Sequence, residues 1–175
     1  MELTDAAKML AGNHFNSSKK EVWADLGCGS GTFTLALAGL LKAGSKIYAV
    51  DTNPSALSQM PAEYDHVTIE TSRINFEMAD LNFEKLDGIL MANSLHYVRD
   101  KKTFIQKATS YLKDDGHFLL VEYDIDKANQ WVPYPLSFSS LIELFTQMGF
   151  NSIRKLEEKP SLFRRANIYS AIIGR

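Results

Sequence analysis

The chain is poor in the features that mark many specialised protein classes. It has one cysteine, Cys28, in 175 residues, which excludes an internal disulfide and any multi-cysteine metal centre and suits a reducing compartment. It lacks an apolar run of about 18 residues, the length of a spanning helix. The first eleven residues form an amphipathic pattern with acids, not a signal sequence, so the expectation is a cytoplasmic protein without a membrane partner. Charge of one sign is also lacking: 19 Lys and Arg face 21 Asp and Glu, for a net charge of -2. A dedicated nucleic-acid binder would carry a basic footprint; the nearest approach is the pair Arg164-Arg165. There are five prolines and no repeat or low-complexity tract, and no clustered His, Asp and Glu set that calls for a metal.

What is present is an ordinary globular composition, 45% hydrophobic and 23% charged, with a length that suits one domain. The expected organisation is a helical segment over residues 1–20 followed by a core over residues 21–175. Short β-rich runs alternate with helical patterns. Strands are expected at 22–26, 46–50, 66–71, 86–91, 117–123, 152–157 and 167–173. Helices are expected at 3–11, 32–41, 55–60 and 102–112, with a last one ending at Gly149. Asn53-Pro54 reads as a helix cap followed by proline at the first helical position, and Ser140 with Glu143 reads as a capping box. The alternation implies an α/β fold: a doubly wound, mainly parallel seven-stranded sheet with helices on both faces and an antiparallel last strand. Ligands of such sheets bind at the carboxyl ends of the strands.

The stretch VWADLGCGSGTFT, residues 22–34, runs from the first strand into the next helix. Glycines 27, 29 and 31 permit positive φ and close approach of a ligand to the backbone. A dinucleotide loop places its third glycine at the sixth position of the motif; here that position is Thr32 and the third glycine comes one residue early. Asp25 precedes the first glycine by two. The acid Asp51 ends the next strand and is suited to accept from two adjacent ribose hydroxyls, or to cap the following helix.

The D-x-G-x-G-x-G pattern resembles motif I of the S-adenosylmethionine-dependent methyltransferases with a Rossmann-like fold. VDTNP, LDGILMANSLHYV, LKDDGHFLLVEYD and IYSAIIGR resemble later segments of that family, in family order. The resemblance implies S-adenosyl-L-methionine as cofactor and methyl transfer as activity. It implies cofactor contacts at Asp25, Gly27, Cys28, Gly29 and Gly31 in the loop, Asp51 and Thr52 at the ribose, Asn75 and Phe76 at the adenine, and Ala92 and Asn93 near the methionine end. Asn75 stands where the family usually has Asp, and another register would offer Asp80. The N-P-P-Y motif of amino-nitrogen methyltransferases is absent, as is the cysteine a cytosine-carbon methyltransferase needs.

For catalysis, His96 is the expected general base, although a packing histidine is the plain alternative. Glu122 and Tyr123 end the fifth strand and face the expected mouth. His14 is a weaker candidate, with His14-Phe15 closing the other side of the site. WVPYPLSF, residues 131–138, either walls the site for a small apolar or aromatic acceptor or covers the sheet edge. With no inserted cap, the pocket is shallow or is completed by a partner chain in a homodimer. The leading expectation is methyl transfer to a small molecule. The alternatives are a non-catalytic cofactor-binding module, an RNA or protein methyltransferase, and an NAD-dependent oxidoreductase, which the glycine spacing disfavours.

Overall fold

A computed structural model describes residues 1–15, 18–83, 85–161 and 166–175. Arg164 and Arg165 therefore lie outside the described residues. The elements, in order, are α1 (Leu3–Leu10), β1 (Val22–Leu26), α2 (Thr32–Ala38), β2 (Lys46–Asp51), α3 (Pro54–Leu57), β3 (Glu63–Tyr64), β4 (Val67–Arg73), β5 (Leu86–Ala92), a 3-10 turn (Leu95–Tyr97), α4 (Lys101–Thr109), β6 (Leu112–Tyr123), α5 (Phe138–Gln147), β7 (Ser152–Pro160) and β8 (Asn167–Gly174). Strand order is β3-β4-β2-β1-β5-β6-β8-β7. The pairs from β4 through β6 are parallel, and β8 runs antiparallel to both β6 and β7.

The sheet has eight strands where seven were expected. The extra one is the two-residue β3, antiparallel to β4. Asp65 and His66 join them, both at positive φ (49° and 61°), the conformation of a type I′ hairpin turn. The expected start of the third strand at His66 thus falls in this turn. β6 is also longer than expected and begins at Leu112, where it pairs Leu86 before a register shift.

Alternation at period two divides the core between the sheet's faces. Trp23, Ile47, Leu90, Leu119 and Ile172 pack with α1 and α2. Ala24, Val50, Ile89, Phe118 and Ala171 pack on the other face with Phe104 and Ile105 of α4 and Leu141 and Phe145 of α5. Helix starts follow local hydrogen bonding. Asn53 Oδ1 accepts from the N–H groups of Ser55 and Ala56, as its Asn-Pro signature implies. The expected Ser140–Glu143 capping box is not formed. Ser137 caps α5 instead, accepting from Ser140 N–H at 3.3 Å, while Ser140 Oγ donates to Asp126 and Glu143 accepts from Gln147. The helix therefore starts at Phe138, whose N–H donates to Asp124 Oδ1 at 2.8 Å and whose ring meets Tyr169 edge-on at 5.4 Å.

Gly88 of β5 is a packing constraint, since a Cβ there would run into the Trp23 indole. Gly88→Ala is expected to destabilise the fold by about 1–3 kcal/mol, read by urea unfolding, with part regained in a Gly88→Ala, Trp23→Leu double variant. Unchanged stability in the single variant would contradict this packing.

Candidate active site

The carboxyl ends of β1, β2 and β5 enclose a cavity of about 300 Å³ lined by Gly27, Asp51, Thr52, Asn75, Phe76, Glu77, Asn93, Ser94, Tyr97 and Val98. Its floor is built by the glycine loop. Gly27 and Cys28 N–H both donate to Val50 O (2.8 and 3.1 Å), folding the loop back over β2. Gly27 has φ of 83°, and a Cβ on it would stand 2.5 Å from Ser94 Cβ. Ser94 Oγ in turn donates to Leu26 O at 2.6 Å, joining the loops after β1 and β5. A Cβ on Gly29 would meet nothing within 4 Å, so the backbone there is open to a ligand.

Asp51 holds the loop as well as facing the cavity. One oxygen accepts from Gly29 N–H and the other from Asn53 N–H, each at 2.8 Å. A carboxylate offers about four lone-pair directions, so two acceptor sites remain for ligand hydroxyls. Asn75 Oδ1 accepts from Glu77 and Met78 N–H (3.0 and 3.3 Å), which fixes its own turn and leaves its amide N–H groups to donate. Phe76 is half-buried beside it. Asp80, the other register, points away with a side chain 97% exposed and pairs Lys107.

Asn93 has φ of 54°, a left-handed conformation that Asn tolerates better than most residues. Its N–H donates to Val121 O at 2.8 Å, but its Oδ1 is buried without a partner. An unpaired buried acceptor costs about 1–3 kcal/mol, which a ligand N–H would recover. The open Gly29 backbone, the spare acceptors of Asp51 and this orphaned oxygen fit a ligand with vicinal hydroxyls, a ring for Phe76 and a cationic or N–H end near Asn93.

Other expected cofactor positions stand behind this surface and support it. Asp25 is fully buried in β1; Oδ2 accepts from Thr34 Oγ at 2.6 Å and Oδ1 has no partner. Burial, partly countered by the Thr34 bond, raises its carboxyl to about 7. Cys28 turns its side chain into a small apolar cluster with Ala49, Leu57 and Ile69, and burial pushes its thiol well above the ordinary range. Gly31 starts α2 at φ of 90°, and Ala92 ends β5 in register with Val121. Glu77, Ser94, Tyr97 and Val98 line the cavity although they were not singled out as cofactor residues. Ser94 carries no sequence signal of its own, because its role arises only from the adjacency of β1 and β5.

His96 and Glu122, 26 residues apart, meet as a buried pair, 2% and 1% exposed. His96 Nδ1 lies 2.6 Å from one Glu122 oxygen, and His96 N–H donates to the other at 3.1 Å. With the carboxylate as acceptor, Nδ1 is the donating ring nitrogen, and among the described residues Nε2 makes no hydrogen bond. The ring is flanked by Tyr97 at 4.4 Å and Tyr123 at 6.2 Å. Burial and the neighbouring Glu122 hold the Tyr123 phenol above its ordinary range, making it a donor rather than a base. His14 is not at this site. It lines a separate cavity with Glu21, Trp23, Asp87 and His117, because the chain after α1 runs to the amino ends of the strands. Phe15, 5.7 Å from the Trp23 ring, goes with it. Among the described residues no group of three or more His, Cys, Asp or Glu is placed to hold a metal ion, and no helix is long and apolar enough to cross a membrane.

A family model described as a methyltransferase domain matches residues 17–162. No curated protein matches the chain in sequence. In fold, the chain is similar to a Listeria monocytogenes protein named as a candidate S-adenosylmethionine dependent methyltransferase. The identity is 15% and the TM-score 0.71, over 99% of this chain and 98% of that one. It is similar also to 1,6-didemethyltoxoflavin-N1-methyltransferase from Burkholderia thailandensis, solved with 1,6-didemethyltoxoflavin and S-adenosylhomocysteine. Here identity is 19% and TM-score 0.69, over 99% and 78% of the chains. A third is magnesium protoporphyrin IX methyltransferase from Synechocystis PCC 6803 with bound SAM, at 16% identity and TM-score 0.65 over 97% and 77%.

The buried Asp25 gives a pH signature. Between its ordinary value of 3.8 and about 7, the folded chain keeps a proton that the unfolded chain has lost. Its contribution to stability is therefore complete below pH 3.8 and is lost as pH rises through 7. Unfolding free energy of the wild type, measured against Asp25→Asn, is expected to fall by a few kcal/mol across that window. Parallel profiles would contradict the assignment.

Proposed function

This chain belongs to the methyltransferase domain family, whose model spans residues 17–162, and on that premise we propose that it methylates a small molecule at an ionisable O–H or N–H, with S-adenosylmethionine as donor. The observation that carries the proposal is the buried His96–Glu122 pair, which does not itself line the cavity but packs against the lining residue Tyr97 at 4.4 Å. In that pair Nδ1 lies 2.6 Å from the carboxylate, and Nε2 makes no hydrogen bond among the described residues. When bound, S-adenosylmethionine supplies an electrophilic methyl on a sulfonium, and transfer to O–H or N–H releases one proton. His96 Nε2 takes that proton, and Glu122 holds the ring in the required tautomer and orientation and stabilises the imidazolium that forms. Asp51 accepts the ribose hydroxyls, Asn75 and Phe76 meet the adenine, and Asn93 Oδ1 accepts from the methionine ammonium. Thr52 lines the ribose side of the cavity. The chain binds and aligns the reactants, and alignment can supply roughly 7–11 kcal/mol of the barrier. The small-molecule acceptors named for two of the fold neighbours and the near-neutral charge support a small acceptor over a polyanion.

Calorimetry is expected to register S-adenosylhomocysteine binding that NAD does not displace. Asp51→Ala should weaken it by about 1.5–3 kcal/mol, the worth of charge-assisted hydrogen bonds; full affinity in that variant would mean the ribose assignment is wrong. With an acceptor in hand, His96→Ala should lower kcat by about 10²–10⁴. Glu122→Gln should also shift the pH–rate profile, as expected of a residue that acts through His96. An unchanged kcat in His96→Ala would remove the base.

A further inference from the structure

Three features of the mouth narrow the acceptor further. Tyr97 lines the cofactor cavity, has its ring 4.4 Å from His96, and is still 55% exposed. The loop between β6 and α5 is tied onto the turn that carries both residues. Tyr134 N–H donates to His96 O at 3.0 Å, and Lys101 Nζ donates to Tyr134 O at 2.6 Å and Val98 O at 2.9 Å. Within that loop the apolar side chains divide. Val132 and Leu136 are buried and anchor it, and Asn129 Oδ1 accepts from the N–H groups of Trp131 and Val132 (2.8 and 3.0 Å). Trp131, between these fixed points, is 72% exposed, and Tyr134 is exposed as well.

Among the described residues six large apolar side chains are exposed. Tyr97, Trp131 and Tyr134 are half of them and come from two segments bonded to each other at the base. The backbone hydrogen bonds fix the loop that carries Trp131 and Tyr134, so a flat ligand stacking there would remove exposed apolar area from water. The loop thus packs on the core through Val132 and Leu136 and leaves two exposed aromatic rings on a segment bonded to the turn that carries the cavity residue Tyr97.

We propose that the acceptor is a planar aromatic or heteroaromatic molecule, stacked on Tyr97 and the Trp131–Tyr134 loop, with a ring O–H or N–H directed to His96 Nε2. This assignment rests on the methyl-transfer reading above. Flat rings match π faces in a way a saturated ring of equal size does not. Chemistry agrees: a phenol ionises near pH 10, as tyrosine does, within reach of an imidazole base, whereas an aliphatic alcohol is far weaker as an acid. In the step, the acceptor O–H proton goes to Nε2, an O–CH₃ bond forms, the C–S bond breaks with its electron pair on sulfur, and S-adenosylhomocysteine leaves neutral at sulfur.

The test uses the full chain saturated with S-adenosylhomocysteine and titrated by calorimetry with 2-naphthol and with its saturated counterpart 2-decalol. The naphthol is expected to bind at least about fivefold more tightly. Trp131→Ala should remove that preference while leaving S-adenosylhomocysteine affinity unchanged. Equal affinities, or a preference that survives in both Trp131→Ala and Tyr97→Leu, would overturn the assignment. So would a homodimer in sedimentation that Trp131→Ala converts to monomer, because the patch would then be a subunit contact. The saturating step separates the two levels: no S-adenosylhomocysteine binding removes the methyl-transfer reading itself, whereas normal binding without the naphthol preference removes only the acceptor class.

Discussion

The approach of Gly27 to Ser94 is the constraint on which the whole carboxyl end of the sheet depends. β1 lies between β2 and β5, so the loops leaving β1 and β5 must share one space. Only a residue without a Cβ fits at position 27, and Ser94 closes the junction with its bond to Leu26 O. On one side, the glycine loop is then free to fold over β2 and present Gly29 to Asp51. On the other, Asn93 is held left-handed with its amide oxygen unpaired. The strain and the orphaned acceptor persist because the surrounding bonds over-determine them, as at many ligand sites.

The same junction sets the chemistry next door. β5 and β6 are in register at Ala92 and Val121, and Asn93 N–H extends the ladder by donating to Val121 O. The chain leaving Asn93 turns at once, which brings His96 to Glu122, the next residue on β6. A buried carboxylate without a partner would be costly. Here both of its oxygens accept from His96, so the bonds that satisfy Glu122 also orient the ring. The cavity and the His96–Glu122 pair are thereby placed by one register rather than by separate devices.

Much of this was legible in the sequence because the strands are buried on both faces and read as continuous apolar runs, as in β5 and β8. The glycine loop, Asn53-Pro54 and Asp51 were legible because each carries its own backbone or charge signal. Pairwise geometry was not. Ser137, Ser139 and Ser140 are all serines able to cap, and the choice of Ser137 goes with tertiary contacts absent from the local pattern: Phe138 N–H on Asp124, Ser140 Oγ on Asp126 and the Phe138 ring on Tyr169. His96 and Glu122 each read as chemically competent, but the sequence says nothing of their contact across 26 residues. His14, the weaker candidate, lies elsewhere, because the path after α1 is decided by packing of that helix on α2, β7 and β8. The hairpin that adds β3 turns through Asp65-His66 without glycine, so its turn chemistry was hidden.

The central claim is that the cavity between the β1 and β5 loops holds the methyl donor. Hydrogen–deuterium exchange with S-adenosylhomocysteine tests it most directly. The account predicts slowed exchange in peptides covering residues 27–31 and 92–97, and none in residues 14–23 beside the His14 cavity. Protection confined to residues 14–23, or protection of the glycine loop by NAD and not by S-adenosylhomocysteine, would contradict it.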